Sequence, residues 1–271
     1  MKFIVPAKFD GMTLEAALIQ LHIPKKEMHW LRMSKDILVN GDLSTLKAEL
    51  KIGDTVSLPD FSEGSSYQVS GKKAEILYED DDLLVASKPP GQKVHPNEPG
   101  EHNTLINDVM NTIDGAYAEP VHRLDIDTTG IVLIAKNSYM KKMLDHMLAE
   151  NKIKRVYMGH VKKNSKIAPQ TISAPLGKMP HTNIFHVTRT GKSAVTHIVN
   201  KKVTDKYEEL TIELETGRTH QIRAHMKHLN APLVGDKLYG GPSSPYLHLY
   251  GYQVSFHHPI TDKEISVSLK I

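Results

Sequence analysis

At 271 residues, with 39% apolar and 24% charged residues, the chain has the composition of a folded globular protein and excludes a disordered, fibrous or collagen-like one. Its 34 Lys and Arg against 31 Asp and Glu give a formal net charge of +3, and the absence of cysteine removes disulfide frameworks, thiolate metal sites and cysteine nucleophiles together. No apolar run approaches the roughly 18–20 residues of a membrane span, and the opening MKFIVPAKFDGM lacks the apolar core of a signal peptide. A soluble, cytoplasmic protein is expected.

In chain order, Thr13 predicts the cap of a helix with Leu14, Ala17, Leu18 and Leu21 on one face, ended by Pro24. A second short helix is predicted from Lys25 to Ser34. Asn40-Gly41 in DILVNGD favours a tight hairpin turn, and LKIGDTVSLPD adds a turn at Gly53-Asp54 before alternating Val56 and Leu58. These elements set residues 1–60 apart as a small module. The Ser- and Gly-rich stretch FSEGSSYQVSGKK, residues 61–73, reads as a linker to a larger domain over 74–271.

The larger domain starts with two short strands around the acidic turn of AEILYEDDDLLVASKPP. Thr104 opens a helix bearing Leu105, Val109 and Ile113. GIVLIAK is a strand apolar enough to be buried on both sides. Asn137 or Ser138 caps a helix with Met140, Leu144 and Leu148 inward and Lys141, Lys142 and Asp145 outward. RVYMGHV is a further strand, YEELTIELET alternates as a half-exposed one, and HQIRAHMKHL places Ile222, Met226 and Leu229 at helical spacing. Strands outnumber helices without a regular alternation, so the predicted class is α+β with a mixed sheet rather than a doubly wound fold.

Charge is uneven along this order. Residues 151–237 hold 16 Lys and Arg against 6 Asp and Glu, a basic segment of the kind that meets a polyanion; a solvated lysine-rich face is the plain alternative. Four segments concentrate polar side chains that folding does not demand. VHRLDIDTTGIVLIAK crowds His122, Arg123, Asp125, Asp127, Thr128 and Thr129 at the mouth of a buried strand, where a carboxylate needs a cation or donors beside it. KRVYMGHV carries Tyr157. TGRTHQIRAHMKHLNAPLVGDKLYGG carries Arg218, His220, Arg223, His225 and His228. YLHLYGYQVSFHHPIT offers aromatics to line a groove. Capping for Asp125, packing for Tyr157 and hydrogen bonding for His122 are the ordinary readings of each residue alone. The 16 histidines lack the HExxH arrangement of a helix-borne zinc site, so no metal is expected, and no glycine spacing suits a triphosphate loop.

Together the four segments resemble the RluA-type pseudouridine synthases. HRLDIDTTGIVLIAK is similar to their HRLD-x-x-T-S-G signature, with Thr129 in place of serine; KRVYMGHV, GRTHQIRAHMKHLNAPLVGD and EDDDLLVASKPPGQKVHP match in the same order. Residues 1–60 resemble, more distantly, the α-L RNA-binding module, although PAKFDGMTL departs from its usual Arg-Leu-Asp opening, which implies a degenerate copy. The resemblance implies the pseudouridine synthase fold, a largely antiparallel central sheet flanked by helices, and isomerisation of uridine in structured RNA, ribosomal or transfer. It implies that Asp125 attacks the sugar or serves as the base for eliminating uracil. It further implies that Tyr157 stacks on uracil and assists proton removal at carbon 5, and that Arg123 fills the space of the flipped base. Arg223 is expected to be the cation beside Asp125, with Arg218 as the alternative. Arg218, His220 and Gln221 are expected at the substrate. No cofactor, metal or membrane is implied, and a monomer is expected. The rival reading is a non-catalytic RNA-binding or ribosome-assembly factor on the same scaffold.

Overall fold

A computed structural model describes residues 1–62 and 64–270. Its first strand, β1 (Lys2–Ile4), leads to helix α1 (Leu14–Gln20), whose first turn is satisfied by the Thr13 side chain accepting from the Ala16 amide at 3.2 Å. After Pro24 comes α2 (Lys25–Met33). Strands β2 (Leu38–Val39) and β3 (Asp42–Leu43) then flank Asn40-Gly41, both at positive φ as a two-residue hairpin of this kind requires. Strand β4 (Thr55–Ser57) closes a four-stranded sheet in the order β1-β4-β2-β3.

The larger part contributes β5 (Glu75–Glu79), β6 (Leu83–Lys88), α3 (Leu105–Thr112), β7 (Glu119–Pro120), β8 (Thr129–Ala135), α4 (Ser138–Ala149) and β9 (Lys154–Lys162). Then follow β10 (Gln170–Ser173), β11 (Leu176–Lys178), β12 (Phe185–Val187), β13 (Val195–Val203), β14 (Tyr207–Leu214), α5 (Gln221–His228), β15 (Leu249–His257) and β16 (Glu264–Ser268). A ten-stranded sheet runs β10-β13-β14-β9-β15-β8-β6-β5, with β16 added on β15 and β7 on β8. Its named pairs are antiparallel except β8 with β15, which makes the predicted mixed, largely antiparallel α+β architecture. At that parallel seam Gly130 (φ +144) faces Gly251 so closely that a Cβ on Gly130 would lie 2.5 Å from the Gly251 nitrogen. A side chain there would pry the two strands apart.

Alternation in β6 and β8 serves two cores. Leu83, Val85, Ile131 and Leu133 point to one side with α4; Leu84, Ala86, Val132 and Ile134 point to the other with α3 and α5. Asn137 is the α4 cap, accepting from the Met140 amide at 2.8 Å. Among the described residues no helix is long and apolar enough to cross a membrane.

Two expectations about the first seventy residues change. Rather than standing apart, the small module shares the α4-side core: Leu14, Leu18 and Leu31 belong to one apolar cluster with Tyr139, Met143 and Phe256. Polar ties reinforce it, with Lys8 donating to the Pro259 carbonyl at 2.7 Å and the Tyr139 hydroxyl to that of Pro59 at 2.8 Å. The presumed linker is likewise laid down on the larger part. Ser65 exchanges hydrogen bonds with the Ala118 backbone, Tyr67 donates to Glu119, Ser70 to Asp108, and Asn107 to the Gln68 carbonyl. The polar residues of this stretch are used as hydrogen-bonding groups against α3 and against residues 118–119.

Candidate active site

Residues 124–128 form a tight turn just before β8, closed by the Thr128 amide donating to the Asp125 carbonyl at 3.1 Å. The turn is held from below by Lys88, whose side chain is wholly buried at the end of β6. Its ammonium donates to the carbonyls of Pro89 (2.9 Å), Gln92 (2.8 Å) and Ile126 (3.1 Å). Burial pulls Lys88 down to about 8, although Asp125 and Asp127 favour its charged form. Three carbonyl acceptors require all three N–H bonds of the ammonium, so the cation is the form that completes this anchor.

Asp125 projects from the turn into a cleft of about 680 Å³ walled also by β9 and the start of α5. The Arg223 guanidinium grips Asp236 with two hydrogen bonds, Nε to Oδ2 at 2.9 Å and Nη2 to Oδ1 at 2.8 Å. Both partners are buried, at 3% and 1% exposure. Burial works against the Arg223 charge, but Asp236, with Asp125 and Asp127 behind it, outweighs that and holds its proton more firmly than usual. From this fixed position Nη1 lies 3.8 Å from Asp125 Oδ2. That separation is too long for a hydrogen bond and short enough for strong attraction. Asp125 therefore has a permanent cation beside it while its lone pairs stay free for a substrate.

His220, at the α5 cap in left-handed conformation (φ 55), bonds through Nδ1 to the Tyr239 hydroxyl at 3.2 Å and sets Nε2 4.0 Å from Asp125. Burial lowers its pKa in spite of Asp125, a shift that favours the neutral ring. Tyr157, buried on β9, lines the cleft opposite. Burial raises its phenol above the ordinary value; Arg155 opposes the shift and Asp125 adds to it. Three buried polar atoms among the cleft-lining residues have no partner among the described residues: His122 Nδ1, Thr128 Oγ1 and Arg155 Nε. Buried donors and acceptors are nearly always paired, with protein, ordered water or ligand, so these three atoms are able to bond a polar ligand in the cleft.

The sequence pattern of the RNA pseudouridylate synthase family spans residues 82–228, over half of the chain, and includes Asp125, Tyr157 and Arg223. The chain belongs to the RNA pseudouridylate synthase family. Residues 1–56 of the synthase match the N-terminal domain of the ribosomal pseudouridine synthase RluD. The uncharacterized RNA pseudouridine synthase YhcT of Bacillus subtilis is 34% identical, with 98% of this chain and 91% of the relative covered. The ribosomal large subunit pseudouridine synthase D of Buchnera aphidicola is 36% identical, covering 95% of this chain and 90% of the relative. Human RNA pseudouridylate synthase domain containing 1 shares the fold at a TM-score of 0.62 and 20% identity, over 74% of this chain and 85% of that one.

All seven site residues named from the sequence line the synthase's cleft: Arg123, Asp125, Tyr157, Arg218, His220, Gln221 and Arg223. Arg223 lies 3.8 Å from Asp125 while its hydrogen bonds go to Asp236. Two other expectations change. Gln221 is a staple: its amide oxygen accepts from Thr216 and the Arg218 backbone and its nitrogen donates to Val195 and Thr196, leaving nothing for a substrate. The aromatics of 246–261 stack elsewhere, Tyr246 on His248 and, beside them, His160 on Tyr207. Arg123 and Arg218 are exposed at the cleft mouth, with Arg218 Nε donating to the Ser193 carbonyl. Asp236 and Lys88 were missed, although both lie inside the quoted motifs LVGD and ASKPP. Among the described residues no cluster of three or more His, Asp or Glu could hold a metal; His225 is bonded to Thr196 and the Ala174 carbonyl.

His122 yields a pH prediction. Its Nε2 accepts from the Leu133 amide at 3.2 Å, and burial, with Arg155 adding to it, pulls its pKa from 6.5 to about 3. As pH falls below 6.5 the unfolded chain takes up a proton that the folded chain refuses. The stability owed to neutral His122 is thus complete above that pH and is lost progressively toward about 3. His122→Gln, which keeps an acceptor for Leu133, is expected to flatten the fall in unfolding free energy between about pH 7 and about pH 5 in denaturant titrations. An unchanged slope would assign the acid sensitivity to other histidines.

Proposed function

We propose that this synthase isomerises uridines in large-subunit ribosomal RNA, as a monomer in the cytoplasm and without metal or cofactor. The chemistry would use Asp125, which lines the cleft beside the fixed Arg223 cation with its carboxylate free of hydrogen bonds among the described residues; Asp127, 3.9 Å from the same guanidinium, is not among the cleft-lining residues. This placement of Asp125 is the observation that carries the reading. The target uridine leaves its stack and enters the cleft, with Arg123 at the mouth taking the vacated space. Asp125 then breaks the bond between ring nitrogen 1 and the anomeric carbon, by attack at the sugar or by removing a sugar proton. Arg223 stands 3.8 Å from its carboxylate throughout. The freed uracil turns over Tyr157, whose ring holds it by stacking.

Rejoining through carbon 5 leaves a proton there to be removed. A neutral phenol takes that proton only by passing its own to a neighbouring base, a role Asp125 can fill. The free polar atoms of His122, Thr128 and Arg155 supply contacts for the carbonyl and N–H edges of the turning base. The basic segment 151–237 would grip flanking phosphates with little sequence content. The choice of ribosomal RNA rests on the matched N-terminal domain and on relatives named for the large subunit.

The test is to map pseudouridines in RNA from cells with and without this protein. Loss of one or a few positions in large-subunit ribosomal RNA is expected. Loss confined to transfer RNA would replace the target, and an unchanged map would favour the non-catalytic assembly factor.

A further inference from the structure

We propose that a second stretch of the substrate RNA backbone lies in a lysine groove at the far end of α5 and β9, well away from the catalytic cleft. The proposal rests on the RNA reading above and adds a phosphate-binding site to it. The groove has a volume of about 1190 Å³ and is walled by the loops after β9, before β14 and after α5. Lys162, Lys163, Lys166 and Lys206 line it, and no acidic residue does. All four lysines are exposed, and among the described residues none is paired with a carboxylate. Four unpaired ammonium groups around one concavity repel each other, a cost that a polyanion relieves.

The groove is built, not a chance cluster of mobile side chains. Buried Glu208 accepts from the Asn164 amide at 3.1 Å and from the Ser165 hydroxyl, fixing the turn that carries Lys163 and Lys166; Lys201 lies 3.5 Å from the same carboxylate. On the other wall the Thr204 hydroxyl donates to the Tyr207 carbonyl at 2.8 Å and the Tyr207 amide donates back to the Thr204 oxygen at 3.1 Å, closing the turn that presents Lys206.

Continuity with the active site selects RNA over an acidic protein. The catalytic cleft shares Asp125, His220 and Arg123 with a neighbouring cavity holding Lys178 and Lys93, the latter paired with Glu101. That cavity shares Phe185 with a third, holding Lys227 and Lys237, which in turn shares Gly240 with the lysine groove. Asp125 is the one acidic residue along these three cavities beyond the cleft. Tyr157 and Lys162 are five residues apart on β9, roughly 16 Å at about 3.3 Å per residue. The path over the surface, across the two intervening cavities, is longer than this straight separation, so a structured RNA whose uridine is held at Asp125 meets the groove with phosphates beyond the immediate neighbours of the target.

The experiment replaces Lys162, Lys163, Lys166 and Lys206 together by Ala and compares the product with a control in which Lys47, Lys72, Lys73 and Lys263, exposed lysines off this track, are replaced by Ala. Thermal melts establish that both fold. Binding of a labelled large-subunit ribosomal RNA transcript is measured between about 50 and about 200 mM salt. The groove variant is expected to bind at least about tenfold more weakly at the low-salt end, and its slope of log affinity against log salt to be shallower by about 3 than the control's. Equal affinity and slope in the two variants would overturn the proposal and leave the groove to another partner. Pseudouridine formation by the unaltered protein on the same transcript reports separately on the target, so a groove that binds RNA survives even if that transcript is not modified.

Discussion

Asp125→Asn is expected to abolish pseudouridine formation while leaving the protein folded and still bound to RNA. Asparagine keeps the shape of the side chain but can neither attack carbon nor accept a proton at neutral pH, so both routes open to Asp125 are closed. Removing an acid–base group alone costs about 10²–10⁴ in rate, and loss of a nucleophile costs at least as much, which puts the variant at background. Little structural damage follows. The turn is closed by backbone bonds and by Lys88 on the Ile126 carbonyl, and Arg223 retains Asp236 as its hydrogen-bonded partner. With one negative charge fewer in a cleft that faces phosphates, RNA affinity is expected to hold or rise slightly. The measurement is release of tritium from carbon 5 of labelled uridine in RNA, alongside filter binding. Release at more than a few per cent of the wild-type rate would remove Asp125 from the centre of the mechanism. No release from the wild type on any cellular RNA would return the chain to the assembly-factor reading.

What the amino-acid order disclosed, and what it withheld, divides along a physical line. Local chemistry was legible. Thr13 and Asn137 cap helices because a short side-chain oxygen beside an apolar repeat has few better uses. Asn40-Gly41 turns because both positions need positive φ. The unbroken apolar run of β8 meant burial on two faces because no polar residue interrupts it. The three conspicuous polar segments did converge on one cleft, since polar residues set against buried strands require company. Pairing across space was not legible. Arg223 lies 98 positions from Asp125 and 13 from Asp236 along the chain, and nothing in HQIRAH says which carboxylate the fork will grip. Only the loop after α5, folded back beneath the helix, decides it. Gln221 looked like a substrate ligand because glutamine in a motif is ambiguous; its four bonds to 195–218 show it securing the α5 start. The tether misread at 61–73 has the same origin. Serine and glycine report conformational freedom in an isolated chain and say nothing about Ala118 and Asp108, which wait to bond them.

Asp236→Ala is expected to be the most destabilising single change in the site, and to cost activity beyond its effect on folding. The Arg223–Asp236 pair is buried on both sides, and leaving one member of such a pair without the other costs about 3–5 kcal/mol. Against a total of about 5–15 kcal/mol, that is a loss of roughly 10 °C in melting temperature for a chain of this size. The freed guanidinium still has acids within reach, Asp125 at 3.8 Å and Asp127 at 3.9 Å. Moving the short remaining distance onto Asp125 would give it a hydrogen-bonded salt bridge and occupy the lone pairs that the reaction needs. Asp236 thus acts as a restraint, holding the cation close enough to attract the Asp125 carboxylate and too far to bond it. Replacing both partners with apolar residues of similar volume, Arg223→Met with Asp236→Leu, separates the two effects. Stability is expected to return most of the way, because an apolar pair of matching shape replaces a buried ion pair at little cost, while the Tyr239 amide, which donates to Asp236 Oδ1 at 3.2 Å, loses its acceptor. Activity is expected to stay lost, because Asp125 no longer has its cation. Recovery of tritium release in the double variant would show that Arg223 serves only packing, whereas restored melting with silent chemistry places the guanidinium in the reaction.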